Sequence, residues 1–274
     1  MGMISIDSEK CRKDGLCAAE CPMTIIRQKE KDNCPEMVPG GEQVCLICGH
    51  CVAVCPHGAL SHSQVPVESC PPIDPKISVG EEQMIQFLRS RRSIRVYKDK
   101  AVEREKLQRV IEIARYAPTG SNTQLVEWLV LTDPGKLKVL GGMVIEWLRE
   151  VIRSGPSHAV PQYIPILIAA WDAGYDAVFR NAPVLIVASS PAEDRSGMAN
   201  VTIALSYLEL AASVLGLGTC WAGLLQRALL ACPSLKEAVG LPKDCPYHYP
   251  MMIGYPKFRY YRLPERKPPR ITWR

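Results

Sequence analysis

The sequence predicts an α+β protein in two parts, a small cysteine-rich module followed by a larger domain of helices and strands. Nine of the twelve cysteines lie between Cys11 and Cys70. A proline-rich stretch at 65–80 lacks periodicity and is typical of a linker. From residue 81 onward, apolar residues recur at helical and strand spacings. The predicted parts are therefore 1–64, a linker at 65–80, and 81–274.

Composition indicates an ordinary soluble globular protein, since 47% of the 274 residues are hydrophobic and 22% are charged. The net charge is only +5 and no long basic run occurs, so nucleic-acid binding is not expected. No apolar stretch is expected to reach the ~18 residues of a membrane span, and the nearest, "YIPILIAAW" at 163–171, is too short. The N-terminal segment 1–15 is charged and has no apolar centre, unlike a signal peptide. We therefore expect a cytoplasmic protein without a membrane partner.

The stretch "CLICGHCVAVCP" at 45–56 has the spacing C-x2-C-x2-C-x3-C-P. This spacing is the ligand run of bacterial ferredoxins. The first three thiolates of such a run bind one iron–sulfur cluster, and the fourth binds the other cluster of a two-cluster protein. Because the chain shows no export signal, metal or redox chemistry is favoured over a disulfide framework.

An earlier stretch, "CRKDGLCAAECP" at 11–22, superimposes on this run when Cys11 is aligned with Cys45. Both stretches end in Cys-Pro, but Asp14 stands where the second cysteine belongs. This internal repeat resembles bacterial-type ferredoxins, including members with aspartate at that position. The resemblance implies two [4Fe–4S] clusters with crossed ligands. The first cluster would use Cys11, Asp14, Cys17 and Cys55, and the second would use Cys21, Cys45, Cys48 and Cys51.

Asp14 gives the first cluster a weak point, because a carboxylate is a harder and weaker iron ligand than a thiolate. We expect that iron to be labile and the cluster to convert to a [3Fe–4S] form. The alternative to iron–sulfur clusters in the cysteine repeat is a structural zinc site. The alternative to iron ligation by Asp14 is a plain Asp-Gly turn at 14–15. The remaining cysteines are expected to be inert or packed in the interior; they are Cys34, Cys70, Cys220, Cys232 and Cys245.

The second part alternates predicted helices and strands. Helices are expected over 81–92, 102–117, 135–152 and 198–218. Strands are expected at 125–133, 182–190, "TCWAG" (219–223) and "PMMIGYP" (250–256). The helix from 198 is nearly all apolar and is expected to be buried, with Gly216 and Gly218 at its end.

Four polar or glycine-rich segments of this domain could serve a cofactor. "RSRRSIRVY" (89–97) holds arginines suited to forked phosphate contacts, and "APTGSNTQ" (117–124) offers amide donors and acceptors. "GLGTCWAG" (216–223) allows close backbone approach, and the tail 254–273 is basic and aromatic. Each segment taken alone is also consistent with an ordinary helix end, turn, helix cap or mobile tail.

In this order and spacing the four segments resemble the nitroreductase family of FMN enzymes, over about residues 84–274. The resemblance implies a nitroreductase-like fold with a central mixed or antiparallel sheet, and an intertwined homodimer with FMN at its interface. The residues implied at the FMN phosphate and ribityl chain are Arg91, Arg92, Ser93, Arg95, Arg266 and Lys267. Those implied at the isoalloxazine ring are Pro118, Thr119, Asn122, Gln124, Cys220, Trp221 and Gly223.

The whole chain thus resembles a ferredoxin-fused nitroreductase. We expect an oxidoreductase in which an external low-potential donor, such as a ferredoxin, reduces the clusters. The clusters would reduce FMN, and FMN would reduce a nitroaromatic, a quinone or a similar small molecule. In one alternative NAD(P)H reduces FMN directly and the clusters are a secondary relay. In another the protein is an electron carrier or redox sensor without its own organic substrate. No catalytic acid is evident, and Thr119 and Ser121 are the candidate proton donors.

Overall fold

The computed structural model describes residues 2–155 and 161–274, and the chain divides into two compact units. The first unit is Met1–Val79 together with the short segment Ser121–Thr123. The second unit is Gly80–Gly120 together with Gln124–Arg274. The division after Val79 falls at the end of the expected linker, but the return of three residues from the middle of the chain to the first unit was not expected.

The first unit consists of short elements, in the order β1 (Ile4–Ile6), α1 (Leu16–Glu20), β2 (Ile26–Arg27), β3 (Glu36–Met37), α2 (His50–Ala53) and β4 (Leu60–His62). Strand β1 pairs with β4, and β2 pairs with β3, both antiparallel. Both helices follow a glycine in the left-handed conformation, Gly15 at φ 74° and Gly49 at φ 71°. The buried core is small and consists of Cys17, Ile25, Ile26, Val52 and Leu60.

The second unit begins with α3 (Glu81–Ser90), α4 (Arg104–Ala114), β5 (Glu127–Leu131), α5 (Pro134–Ser154) and α6 (Tyr163–Asp172). It continues with β6 (Val184–Ser190), α7 (Gly197–Val214), β7 (Gly218–Trp221), α8 (Gly223–Ala231), α9 (Pro233–Val239) and β8 (Tyr247–Gly254). Its strands form one antiparallel sheet in the order β5-β6-β8-β7.

Both faces of this sheet are covered, which explains why β6 is buried along its whole length and apolar from Val184 to Ala188 instead of alternating. Leu185 and Val187 point into a core shared with α5, α6, α8 and α9. Ile186 and Ala188, on the opposite face, pack into a second core with α4 and α7. The strand period of two thus sends neighbouring residues of β6 into different cores.

The expected helices and strands of the second part are present, with three differences. Helices α6, α8 and α9 were not expected. The strand expected at 219–223 ends at Trp221, and Gly223 begins α8. The buried face of α7 packs on the sheet and on α4, but Met198, Tyr207 and Val214 remain exposed within one chain. Helix α7 ends at Val214, and Gly216 follows at φ 74°, as the glycines indicated.

One helix of the second unit is longer than the apolar stretch at 163–171, so the expectation that no apolar segment reaches the length of a membrane span is wrong. Helix α7 has 18 residues and is long and apolar enough to cross a membrane by length and composition alone. Its buried residues, including Leu205 and Leu208, belong to the second core of the sheet domain. A core helix of a folded domain passes the same length test.

Candidate functional site

The first unit contains two cavities, and each is lined by one of the crossed ligand sets expected from the repeat. One cavity is lined by Cys11, Asp14, Cys17 and Cys55, with His57 beside them. The other is lined by Cys21, Cys45, Cys48 and Cys51, with His50 and His62 beside them. Each cavity therefore takes three ligand positions from one repeat and the fourth from the other. In the described residues, no three His, Cys, Asp or Glu side chains are grouped so as to hold a single metal ion.

The Asp14 carboxylate lines the first cavity, and one of its two oxygens already accepts a hydrogen bond. Its Oδ1 accepts a hydrogen bond from the backbone N–H of Leu16 at 3.2 Å. Its Oδ2 lies 3.8 Å from Nε2 of His57, and both side chains are more than a third exposed. Such a carboxylate can turn either toward a metal or toward water. This is the flexibility that a labile ligand requires.

Burial disfavours the thiolate at two of the expected ligand positions. It raises the pKa of the Cys51 thiol to about 11, and it also raises the pKa of Cys17. The neighbouring cysteines act in the same direction, because several thiolates converge on one cavity. A metal cluster supplies the positive charge that reverses this effect. Its binding would therefore release protons.

In the second unit the arginine-rich segment lies along strand β7. The backbone N–H of Ile94 donates to the carbonyl of Thr219 at 2.8 Å. Gly218 makes this approach possible, since a Cβ there would collide with Ile94 and with Pro256. The glycines of the "GLGTCWAG" segment were expected to allow a close approach of its backbone. At Gly218 the group that approaches closely is another segment of the same chain.

Arg91 and Trp221 meet through Glu209, a buried carboxylate of helix α7. Arg91 Nη1 donates to Glu209 Oε1 at 3.0 Å, and Trp221 Nε1 donates to Oε2 at 3.1 Å. Thr219 Oγ1 also donates to Oε1, at 3.3 Å. Arg91, an expected phosphate ligand, is therefore committed to an internal ion pair. The Glu209 network fixes the indole of Trp221.

The remaining residues of the arginine segment differ in what they face. Arg95 lines a cavity together with Cys220, Trp221 and Gly223, so four expected cofactor residues meet there. The guanidinium of Arg92 donates to the carbonyls of Arg89 and Arg91. Its buried Nε has no partner within the part of the chain that the structure describes. Ser93 lies between Arg92 and Arg95 in the sequence, and its carbonyl oxygen is 3.5 Å from Arg95 Nη1.

Two further arginines line the same cavity as Arg95 and were not expected from the sequence. They are Arg180 and Arg227, which donate to the hydroxyls of Tyr175 and Tyr163 at 2.7 and 2.6 Å. Among the described lining residues there are three guanidinium groups and no carboxylate. Burial raises the pKa of the Cys220 thiol at this cavity, while nearby Arg95 opposes the rise. Cys220 is thus a neutral thiol next to a cationic surface.

The loop that follows helix α4 is held in an unusual conformation. Ser121, Asn122 and Gln124 all have positive φ, between 51° and 56°, although none is glycine. The backbone N–H of Gln124 donates to Thr119 Oγ1 at 3.0 Å, and within residues 2–155 and 161–274 the Thr119 hydroxyl proton has no acceptor of its own. Pro118 stands directly before Thr119 and outside any helix. Strained backbone of this kind persists where the surroundings enforce it and is common at functional sites.

A buried carboxylate anchors this loop within the second unit. Asn200 Nδ2 donates to both carboxylate oxygens of Asp194, and Asn200 Oδ1 accepts from the backbone N–H of Gly120 at 3.0 Å. Neither residue was singled out from the sequence. Asn122 itself belongs to the first unit, where its amide bonds to the loop that carries Cys45 and Cys48.

The last expected residues, Arg266 and Lys267, lie in an exposed tail without helix or strand. The structure does not bring them to the cavity of Arg95 within one chain. Glu209 was missed by sequence reasoning as well. The sequence did distinguish Glu209, because it is the single charged residue among the 18 residues of α7.

Comparison with known proteins agrees with this architecture. The family model described as the nitroreductase family matches residues 88–255, and one described as a 4Fe-4S dicluster domain matches residues 3–56. A putative NADH dehydrogenase/NAD(P)H nitroreductase of Archaeoglobus fulgidus is 25% identical over 64% of this chain and 87% of its own.

The first unit has its own relative. NADH-quinone oxidoreductase subunit I 2 of Streptomyces coelicolor is 34% identical over 22% of this chain, a match that spans only 38% of that protein. Among solved structures, an FMN-bound nitroreductase of Bacteroides fragilis covers 71% of this chain and 98% of its own, with a TM-score of 0.58 and 19% identity. At that identity the likeness shows the fold alone. The sheet topology and the match over residues 88–255 lead to one conclusion: the chain belongs to the nitroreductase family of oxidoreductases and carries a 4Fe-4S dicluster ferredoxin domain before it.

Proposed function

We propose that this chain passes electrons from two iron–sulfur clusters in its first unit to FMN in its second unit, and then to a small organic acceptor. The observation that carries the proposal is the pair of cavities lined by crossed ligand sets, in a chain that also has a nitroreductase domain. When bound, the clusters would supply electrons singly, and FMN would accept them singly and deliver a pair.

The donor sets fit clusters of this kind. The second cavity offers four cysteines, and the first offers three cysteines and one carboxylate. Thiolates are the usual ligands of iron–sulfur clusters, whereas oxygen is a weaker ligand for this iron. We therefore propose that the first cavity holds a cluster able to exist with three or four irons, with Asp14 at the exchangeable iron.

The cavity of Arg95 fits an anionic flavin. Three guanidinium groups can neutralise a phosphate, and Trp221 and Tyr249 give the same cavity aromatic walls. We propose that Arg95, Cys220, Trp221 and Gly223 contact FMN directly. Arg91 would act through Glu209 by fixing the Trp221 indole. The free hydroxyl proton of Thr119 makes this residue the preferred proton donor to a substrate.

We further propose that the chain is a homodimer. Helix α3 has no buried residue, and its Met84, Ile85 and Leu88 are exposed. The tail past residue 256 exposes aromatic residues that have no core of their own, among them Tyr261 and Trp273. A second copy of the chain would cover these surfaces. It would also provide a surface that Arg266 and Lys267 could contact, including a bound FMN phosphate.

The test is anaerobic reduction of the purified chain after its iron and FMN have been quantified. Reduced ferredoxin should bleach the flavin, and the reduced protein should then turn over a nitroaromatic or a quinone. Cys48→Ser should abolish bleaching by ferredoxin. Cys232→Ser should not, because Cys232 lines neither cysteine-rich cavity. Equal bleaching rates in a Cys48→Ser protein that has lost its second cluster would refute the proposed route.

A second candidate donor is NAD(P)H, and one observation favours it: the Archaeoglobus fulgidus relative is named as a putative NADH dehydrogenase/NAD(P)H nitroreductase. In that case NADH or NADPH would bleach the flavin at the same rate with or without intact clusters. The Cys48→Ser protein therefore separates the two routes. Cluster reduction without turnover of any organic acceptor would instead indicate an electron carrier.

A further inference from the structure

The backbone of the first unit preserves the internal repeat closely enough for the two ligand loops to be compared position by position. Lys13 and Ile47, which are equivalent when Cys11 is aligned with Cys45, both have positive φ, at 58° and 52°. Thr24 and Gly58 match in the same way, at 54° and 57°. Equivalent positions therefore have equivalent backbones. A difference between their side-chain contacts is a difference between the two cluster sites.

Gln28 braces the ligand loop of the first repeat. Its Nε2 lies 3.0 Å from the carbonyl oxygen of Lys13 and 2.9 Å from those of Lys31 and Asn33, and its two N–H groups are shared among these three acceptors. Lys13 lies between Cys11 and Asp14, so this bond holds the loop between two expected ligands. The equivalent of Gln28 in the second repeat is His62, which has no NH2 group with which to hold several carbonyls.

His62 contacts a ligand sulfur instead. Its Nδ1 accepts a hydrogen bond from the backbone N–H of Gln64 at 3.0 Å, so in the neutral ring the proton must be on Nε2. Nε2 lies 3.7 Å from Cys45 Sγ. The ring is only 2% exposed, so water does not compete for this contact. His62 therefore directs an N–H group at Cys45.

Asn122 supplies the brace that His62 cannot provide. Its Nδ2 donates to the carbonyl of Ile47 at 3.0 Å and to that of Leu46 at 3.1 Å. The Ile47 carbonyl is the counterpart of the Lys13 carbonyl that Gln28 holds. The braced loop also directs the backbone N–H of Ile47 at Cys45 Sγ, at 3.4 Å. Cys45 thus receives two N–H groups, one from the side chain of His62 and one from a loop that Asn122 holds.

We propose that His62 and Asn122 together raise the reduction potential of the second cluster. This inference rests on the ligand set proposed above for that cluster. Hydrogen bonds to ligand sulfurs are one of the factors that set cluster potentials. An N–H group near a thiolate stabilises the more negatively charged, reduced state, and so makes the cluster easier to reduce. His62 acts on the sulfur directly, and Asn122 is a positioning residue that acts through Ile47.

The proposal is tested by redox titration of the reconstituted full chain, followed by EPR. His62→Gln installs the residue of the first repeat. It should shift the midpoint potential of the second cluster downward and leave that of the first cluster unchanged. Asn122→Ala should produce a smaller shift in the same direction. Gln64→Ala is the matched control, since the exposed Gln64 side chain lines neither cavity and its backbone N–H to His62 is retained, and it should change neither potential.

The outcomes separate this inference from the proposed function. An unshifted second potential in a His62→Gln protein with full iron content would overturn the inference and leave the two-cluster function standing. Absence of a second cluster from the unaltered chain would overturn the function. If the His62→Gln protein does not bind the second cluster, EPR of the unaltered chain labelled with ¹⁵N-histidine tests the contact between His62 and the cluster instead. Reduction should then produce a hyperfine coupling between a histidine nitrogen and the second cluster that persists in His50→Gln, and its absence refutes the contact.

Discussion

Glu209 is expected to be the most sensitive polar position in the second unit, and Glu209→Ala is the change that tests this. The substitution removes the acceptor for Arg91, Thr219 and the indole N–H of Trp221 together. The carboxylate is only 8% exposed, so water cannot readily replace it, whereas the Arg91 side chain is 29% exposed and regains some hydration.

The magnitude follows from these contacts. Leaving a buried donor without an acceptor costs about 1–3 kcal/mol, and the indole N–H of Trp221 falls in this range. Breaking a partly buried ion pair at Arg91 adds about 1 kcal/mol after allowance for its exposure. We therefore expect Glu209→Ala to lower the free energy of unfolding by about 2–4 kcal/mol. Glu209→Gln keeps one carbonyl acceptor and should lose about half as much.

The assay is urea unfolding monitored by far-UV circular dichroism, because most of the helical residues belong to the second unit. Glu112→Ala is the matched control. Glu112 is an exposed helical glutamate paired with Arg115 at 3.4 Å, and its loss should change the free energy of unfolding by less than ~0.5 kcal/mol. If Glu209→Ala were no more destabilising than Glu112→Ala, the inferred role of the buried carboxylate would be wrong.

Three further predictions concern other parts of the molecule. Asp14→Cys should remove the three-iron EPR signal of the oxidised protein and increase its iron content, and an unchanged signal would show that Asp14 is not at the labile iron. Gly218→Ala should destabilise the second unit by about 1–3 kcal/mol in the same urea assay, since the added Cβ meets Ile94 and Pro256, whereas Gly142→Ala, in helix α5, adds a Cβ whose nearest neighbour is Trp171 at 3.8 Å and should not destabilise it. The pKa of buried His248 is lowered to about 4 by desolvation, so its neutral form stabilises the fold above pH ~6.5, and this contribution is lost as the pH falls toward 4. His248→Gln should flatten the fall in the free energy of unfolding between pH 7 and 5, and an unchanged slope would contradict the assignment.

The sequence was most informative where one local rule decides the outcome. The cysteine spacing and its internal repeat predicted which residues line each cavity of the first unit, including the crossing of Cys21 and Cys55. Apolar periodicity predicted the helices that pack one face on the sheet. Helix α6 was not predicted because it is apolar on nearly all sides, so its sequence lacks the amphipathic pattern of a surface helix.

Contacts between distant residues were beyond this reasoning. Asn122 was assigned to the flavin loop by its neighbours in sequence, yet its amide bonds to a carbonyl 75 residues away. Arg91 was assigned to the phosphate by its segment, but Glu209, 118 residues later, engages its guanidinium. In both cases the residue type was correctly identified as a hydrogen-bonding group. Its partner depended on the tertiary fold, which spacing along the chain does not encode.

The small core of the first unit has a consequence for how this protein matures. The hydrophobic cluster of this unit has five fully buried members, and domains of about 80 residues or fewer usually need a metal or a disulfide in addition to such a core. The buried thiols also resist ionisation until metal arrives, as the raised pKa of Cys51 indicates. We therefore expect iron–sulfur assembly and folding of this unit to be coupled. Cells starved of iron should accumulate chains in which the segment Met1–Val79 is open to proteases while the sheet domain stays folded.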